Sequence, residues 1–211
     1  MGYDAGRDAQ VSGFRVAEDR FGSSIVIVMP TAVALVTFED LERLPDEPGK
    51  TELLDGEVIQ MPPAFLPHNI LSEDLFLLLR QMVKTLTSGG TARGLGKVHH
   101  EMGYKIGKGP DSWLIPDVSI THQDLSASEK YYEGAPLIAI EIISESNTAR
   151  YVDRKTKKYL ANGSQEVWVL YSKTRRVLTH YAGRDTVEIG RAHIRSGVLA
   201  EVSGIPLSEI W

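Results

Sequence analysis

Two acidic residues lie inside short apolar runs of the sequence, where a charge is unexpected. Asp117 belongs to the run 112–120 and Glu141 to the run 137–144, and both runs are rich in β-branched residues. Runs of this kind are typical of strands that are buried on both faces of a sheet. Because an unpaired buried charge costs several kcal/mol even after relaxation, we expect a positive group to compensate both acids.

One divalent cation would compensate Asp117 and Glu141 together if their strands are neighbours in one sheet. Mg²⁺ suits this pattern, because it prefers oxygen ligands and is often held by one or two carboxylates with water and a substrate phosphate. A third candidate lies in the next predicted helix, where Val152, Lys155 and Tyr159 share one face. If that face packs on the sheet, Lys155 brings an ammonium group to the two carboxylates.

Each of these residues also has an ordinary structural interpretation. Lys155 would extend past the aromatic rings to water and serve solubility alone. Asp117 would form a turn after Pro116, and Glu141 would pair with a surface cation. The sequence leaves these alternatives open.

The elements that must position these residues are predicted from local patterns. Asp55-Gly56 between two strand-like runs indicates a hairpin, and apolar residues recurring at three and four over 67–87 indicate an amphipathic helix. In chain order, the predicted elements are a helix over 38–44 capped by Thr37, the hairpin over 51–61, the helix over 67–87, strands over 98–106, 112–120 and 137–144, a helix capped within 146–148 and ending at 162, strands over 167–171 and 177–181, and a hairpin from 186–189 and 194–198. This order predicts an α/β fold, a mixed sheet flanked by helices.

Composition excludes several functional classes. The chain has 211 residues, of which 42% are hydrophobic and 24% charged, and its net charge is −5 with a pI near 5.7. A strongly basic surface for indiscriminate polyanion binding is therefore absent, and any nucleic-acid contact must be local or assisted by a metal. The chain has no cysteine, which excludes disulfides and thiolate metal sites and fits a cytoplasmic location.

The N-terminal residues are predicted to lie outside the main domain. Residues 1–28 are rich in glycine and charge without a clear period, which indicates a loose extension, and 29–211 would form a single domain. Met29 followed by Pro30 is an alternative start, which an intact mass of the native protein would test. The longest apolar stretch, 25–36, is shorter than the ~20 residues that cross a bilayer, so we expect no membrane segment.

The order of these motifs resembles the putative restriction endonuclease-like family of the PD-(D/E)XK nuclease superfamily, over most of 29–211. The residues that carry the resemblance are Pro116-Asp117, Glu141-Ile142-Ile143-Ser144, Ser146-Asn147-Thr148, Lys155, Tyr159, Gly163, Glu166-Val167-Trp168, the segments 52–57 and 134–136, and His68. The resemblance implies a restriction endonuclease-like core, in which a mixed sheet is flanked by helices, together with Mg²⁺ dependence and nuclease ancestry. It departs from the superfamily at Ile143, where a lysine is usual; in this family the lysine is displaced to the next helix, at Lys155.

The mechanism that this resemblance implies centres on one metal ion. Asp117, Glu141 and the main-chain carbonyl of Ile142 would hold Mg²⁺, for which Mn²⁺ should substitute. The ion would polarise a phosphodiester oxygen and lower the pKa of a water. Lys155 would orient that water or stabilise the developing negative charge.

Two further residues are candidates for the same site. Glu52 would complete or bridge the metal site, and the alternative is an exposed strand residue near the hairpin. His68 would donate a proton or contact a phosphate, and the alternative is a structural role in the first turn of its helix.

DNA is the expected partner, through local basic contacts. The candidate phosphate contacts are Arg150, Arg154, Lys157, Lys158, Lys173, Arg175 and Arg176, and a solvated charged face is the alternative. Cutting both strands of a duplex commonly uses a two-fold dimer, so we expect a homodimer.

Two rival functions remain at this point. One is a catalytically inactive nuclease-fold module that binds nucleic acid or protein. The other is a glycosidase, which also uses paired carboxylates. The inward lysine and the scarcity of aromatic residues near both acids count against the glycosidase.

Overall fold

The computed structural model divides the chain into two units, residues 1–34 and residues 35–211. The residues that it describes are 14–18, 24–28, 35–45, 47–90, 94–107, 109–144, 147–184, 187–190, 192–200 and 204–211. The alternative start at 29–30 and the capping position 146 lie outside these residues. In the first unit, β1 (Phe14–Glu18) and β2 (Ser24–Val28) pair as an antiparallel hairpin.

The second unit contains three α-helices and thirteen strands within its described residues. In chain order these are α1 (Phe38–Leu41), β3 (Lys50–Leu54), β4 (Glu57–Met61), α2 (Leu66–Ser88), β5 (Leu95–His100), β6 (Tyr104–Lys105), β7 (Trp113–Leu114), β8 (Val118–His122), β9 (Tyr132–Glu133), β10 (Ile138–Ile143), α3 (Ala149–Ala161), β11 (Glu166–Tyr171), β12 (Arg176–Tyr181), β13 (Val187–Gly190), β14 (His193–Ile194) and β15 (Ile205–Pro206). None of the described helices is long and apolar enough to cross a membrane.

Two mixed sheets and the two-stranded sheet of β14 and β15 make up the described strands of this unit. The six-stranded sheet has the order β13-β12-β11-β10-β8-β5, and only β10 and β11 run parallel. Helix α3 connects these two strands, as a parallel crossover requires. The five-stranded sheet has the order β4-β3-β7-β6-β9.

Strand β10 is covered on both faces, as its apolar run predicts. Ile138, Ile140 and Ile142 pack in one core with α2, whereas Ala139 packs in a second core that includes Tyr159 of α3. Because side chains alternate along a strand, Glu141 shares the face of Ala139. The carboxylate of Glu141 is thus directed toward the helix that carries the candidate lysine.

Two of the predicted strands are divided in the structure, so the predictions of single strands over 98–106 and 112–120 are wrong. The first segment breaks at Glu101, whose φ of 48° is left-handed, and forms β5 and β6 in different sheets. The second breaks around Pro116, which has no N–H for a sheet ladder, and forms β7 and β8. Asp117 therefore lies at the junction of the two sheets and not inside a strand.

The remaining local predictions have mixed outcomes. Helix α1 begins after its Thr37 cap as expected but ends at Leu41, and α2 and α3 fall close to their predicted bounds. The hairpin turn is confirmed, with left-handed φ at both Asp55 and Gly56. The last predicted hairpin is wrong, because β13 pairs with β12 and β14 pairs with β15.

Candidate active site

Asp117 is fixed by the neighbouring strand β10. Strands β8 and β10 pair antiparallel, and the last pair of this ladder is Ile140 with Val118. If the register continued, the partner of Ile142 would be Pro116, which lies outside β8. Proline has no N–H to offer, and the N–H of Ile142 instead donates to Asp117 Oδ2 at 2.7 Å. In a strand, the N–H and the C=O of one residue point toward the same neighbouring strand. The Ile142 carbonyl is therefore directed toward Asp117 as well, and Pro116 has no N–H to donate to it.

Glu141 and Lys155 form a buried ion pair. Lys155 Nζ lies 2.7 Å from Glu141 Oε1, which also accepts a hydrogen bond from the Tyr159 hydroxyl at 3.1 Å. Within the described residues, no hydrogen bond reaches Glu141 Oε2, which leaves this oxygen to a ligand. The side chain of Lys155 is directed inward, as the helical pattern predicts, and the residue is only 2% exposed. The alternative in which Lys155 extends to water is therefore wrong.

The charge of Lys155 is maintained by its two acidic neighbours. Burial lowers the pKa of Lys155, but Glu141 and Glu52 outweigh burial and raise the pKa above its ordinary value. Lys155 is consequently a permanent cation near neutral pH and cannot act as a base.

Glu52 is fully buried beneath this pair. Its Oε1 accepts hydrogen bonds from the Ile115 N–H at 2.6 Å and from Lys155 Nζ at 3.0 Å, and its Oε2 accepts one from the Tyr151 hydroxyl. Both oxygens are engaged by the protein. The structure thus brings Glu52 next to Lys155, where it holds that lysine and the segment that leads to Asp117.

His68 lies on the other side of Asp117. Its Nε2 is 3.3 Å from Asp117 Oδ2, and its buried Nδ1 has no hydrogen-bond partner among the described residues. The hydrogen bond with Asp117 raises the pKa of His68 and outweighs burial, which lowers it. His68 therefore holds a proton to a higher pH than an ordinary histidine.

Lys50 is a site residue that the sequence analysis missed. Its Nζ lies 2.7 Å from Asp117 Oδ1, 3.3 Å from the Ile115 carbonyl and 3.4 Å from Glu101 Oε1. Burial would raise the pKa of Asp117, but Lys50 and His68 outweigh it and hold the pKa well below its ordinary value. In the sequence, Lys50 is linked to the site only by its position two residues before Glu52, which places both side chains on one strand face but does not indicate contact with Asp117.

These groups line one cavity of about 820 Å³. Asp117, Glu141, Lys155, His68 and Lys50 all contribute to its wall, and so does the β10 residue Ile142. Of the candidates for catalysis and metal binding, Glu52 alone is outside this wall, and of the candidate phosphate contacts only Lys173 lines it. With Glu101 and Lys173, which also line it, the cavity combines three carboxylates with four basic side chains.

The donor set fits a hard divalent cation. No group of three or more histidine, aspartate or glutamate side chains is arranged to hold a metal in the part of the chain that the structure describes. Mg²⁺ does not require one, because one or two carboxylates with water and substrate oxygens are sufficient. The ammonium of Lys50 lies among three oxygens beside Asp117, so a metal ion at Asp117 Oδ1 would have to displace it.

The acidity of Glu141 gives a first prediction. Burial raises the pKa of Glu141 to about 7, and Asp117 and Glu52 add to this against the opposing effect of Lys155. The folded protein therefore binds a proton that the unfolded chain, with the ordinary value of 4.5, releases. The contribution of Glu141 to the free energy of unfolding therefore falls as the pH rises from about 4.5 to about 7.

Glu141→Gln should remove this part of the pH dependence, which urea unfolding in EDTA between about pH 5 and about pH 8 would measure. Asp153→Asn, at an exposed carboxylate of α3, is the matched control, and its free energy of unfolding should change with pH as that of the wild type does. A Glu141→Gln variant with the wild-type slope would contradict the raised pKa.

Comparison with known proteins bears on the family and on the fold. The family model Uma2, described as "Putative restriction endonuclease", matches residues 38–204. A crystal structure described as a putative nuclease belonging to DUF820, from Anabaena variabilis ATCC 29413, is similar with a TM-score of 0.68 at 17% identity, covering 83% of this chain and 97% of that chain. No curated protein matches. The likeness confirms the α/β, restriction endonuclease-like fold class.

Proposed function

Because the chain belongs to the Uma2 family of putative restriction endonucleases, we propose that its cavity is the active site of a Mg²⁺-dependent endonuclease that hydrolyses phosphodiester bonds in DNA. Family membership supports an enzyme that acts on phosphodiester bonds of nucleic acid. The observation that carries the proposal is the single cavity in which Asp117, Glu141 and Lys155 meet. Asp117 and Glu141, with the carbonyl of Ile142, are the ligands we assign to the ion.

We assign each group in the cavity a different role in the reaction. When bound by these ligands, Mg²⁺ would supply Lewis acidity toward the phosphate and would lower the pKa of a nearby water, whose proton would pass to solvent. Lys155 remains protonated, so its role is to donate to the oxygen on which negative charge develops. His68 lines the cavity with a side chain that is 14% exposed, and its raised pKa favours the charged form, which suits it to contact a phosphate oxygen.

Removal of the metal should abolish activity. Purified protein should nick supercoiled plasmid in Mg²⁺, lose this activity in EDTA and regain it when Mn²⁺ is added, because Mn²⁺ accepts the same oxygen ligands. Agarose electrophoresis of the relaxed plasmid measures the result, and an RNA transcript incubated in parallel tests the preference for DNA. Nicking that persists in EDTA would contradict the assignment.

A nuclease-fold module that binds nucleic acid without cutting it is the second candidate. The ion pair between Lys50 and Asp117 favours it, since it neutralises the carboxylate with a group of the protein itself. This module would be supported over the nuclease if the protein binds DNA without cutting it and if calorimetry detects no heat of binding when Mg²⁺ is added.

A double-strand break in one encounter needs two active sites. We propose a homodimer with two-fold symmetry for that activity, whereas nicking needs one site only. Sedimentation velocity would test this assembly: a single species at the monomer mass of 23.3 kDa would contradict it.

A further inference from the structure

One part of the cavity wall is apolar and exposed. Residues 61–65 and Pro67 line the cavity together with the carboxylates, and the segment includes Pro62 and Pro63. Phe65 is 77% exposed, which makes it one of the most exposed large hydrophobic residues in the described part of the chain. An aromatic ring in water beside a charged site is a surface to which a flat apolar group can bind.

The Phe65 backbone is held in a fixed relation to the phosphate-binding groups. Its carbonyl accepts hydrogen bonds from the N–H groups of His68 at 3.0 Å and Asn69 at 3.2 Å, so it is tied to the first turn of α2. His68 in turn contacts Asp117. Pro63 and Pro67 lie two residues before and two residues after Phe65, and each restricts the backbone φ at its own position.

Polar groups line the rest of the cavity. Ser172, Lys173 and Thr174 form the turn after β11, and Asn147 precedes α3. Hydroxyl, amide and lysine side chains are the usual contacts of phosphate and sugar. The cavity therefore offers the metal site proposed above for the reacting phosphate, polar groups for the backbone and the exposed ring of Phe65 for a base, and Tyr171 is the second aromatic residue of its wall.

We propose, on the basis of the nuclease function proposed above, that Phe65 stacks on the base next to the cleaved phosphate and that the preferred substrate is DNA with unpaired bases. A base inside a duplex is paired and stacked, so it reaches a side-chain ring only after unstacking, whereas a single strand offers its bases directly. Stacking on an aromatic ring is also tolerant of sequence, because every base has a π face.

Size and charge support a single strand over a duplex. The cavity volume of about 820 Å³ is within the range of pockets that enclose small molecules, roughly 300–1,000 Å³, which suits a nucleotide better than a double helix. The net charge of −5 also gives the chain no general affinity for the dense phosphates of a duplex. Stacking supplies an attraction that does not depend on net charge.

Fluorescence anisotropy with a labelled single-stranded oligonucleotide, and with the duplex of the same sequence, tests the proposal. Binding is measured in Ca²⁺ in place of Mg²⁺ to separate it from cleavage. Phe65→Ala should weaken single-strand binding by about tenfold, on the scale of one lost base stack, and Phe65→Trp should restore it. Leu77→Ala, at an exposed position of α2 outside the cavity wall, is the matched control and should bind as the wild type does.

Two results would overturn the proposal: equal single-strand affinity for Phe65→Ala and the wild type, or tighter wild-type binding to the duplex. Thermal melting of each variant checks that the exposed substitution leaves the fold intact. If either result is found while Mg²⁺-dependent nicking persists, the stacking role fails and the nuclease function stands. If the wild type neither binds nor cuts DNA, both proposals fail together.

Discussion

Asp117→Asn should lower the rate of DNA cleavage by about 10³-fold or more, the scale on which loss of a group that stabilises transition-state charge is felt. An asparagine keeps the shape of the side chain and an oxygen that can accept the Ile142 N–H. It has no charge, however, so it holds a divalent cation far less tightly than a carboxylate does and does not balance Lys50. Single-turnover nicking of plasmid in Mg²⁺ measures the loss.

The control for this variant is Asp153→Asn. Asp153 is an exposed residue of α3 that pairs with Lys157 at 2.8 Å, outside the cavity wall. We expect this variant to cut DNA at the wild-type rate. An Asp117→Asn protein that is folded by circular dichroism and cuts as fast as the control would remove Asp117 from the mechanism.

Glu52→Ala should cause the largest loss of stability among these variants, about 3–5 kcal/mol of unfolding free energy. The substitution removes one of two carboxylates from the buried Lys155 and leaves the Tyr151 hydroxyl and the Ile115 N–H without their acceptor. Uncompensated buried polar groups are expensive because water cannot reach them. Urea unfolding monitored by tryptophan fluorescence measures the change.

The matched variant is Glu57→Ala on the neighbouring strand. Glu57 pairs with Arg154 at 2.6 Å, but its side chain is 61% exposed. Exposed pairs contribute about 0–1 kcal/mol, so we expect only a small change. If Glu52→Ala were no more destabilising than Glu57→Ala, the buried network would not hold Lys155 as described.

The part of the site around Glu141 could be predicted because local patterns fix it. A continuous apolar run over 138–143 forms a strand covered on both faces, and an acid within it needs a partner. The spacing of Lys155 and Tyr159 on one helical face then identifies the partner. Both inferences depend on the period of a single element and need no knowledge of the distant chain.

The surroundings of Asp117 could not be predicted in the same way, because they depend on contacts between distant segments. The division of the sheets at Glu101 and Pro116 follows from pairing with strands far along the chain, and the left-handed φ of Glu101 has no signal in a non-glycine residue. Lys50 is 67 residues from Asp117 and looks in the sequence like an ordinary polar strand residue. Only the folded sheet order brings the two together.

A crystal soaked in Mn²⁺ and measured at a wavelength that reveals the metal by its anomalous signal tests the central claim most directly. We predict one metal peak in the cavity, bonded to Asp117, Glu141 and the Ile142 carbonyl at close to the ~2.0–2.1 Å of Mg²⁺–oxygen contacts. In that structure, Lys50 Nζ should no longer contact Asp117 Oδ1, because this oxygen should bind the ion. A cavity without a metal peak, with Lys50 still 2.7 Å from Asp117 Oδ1, would contradict the account.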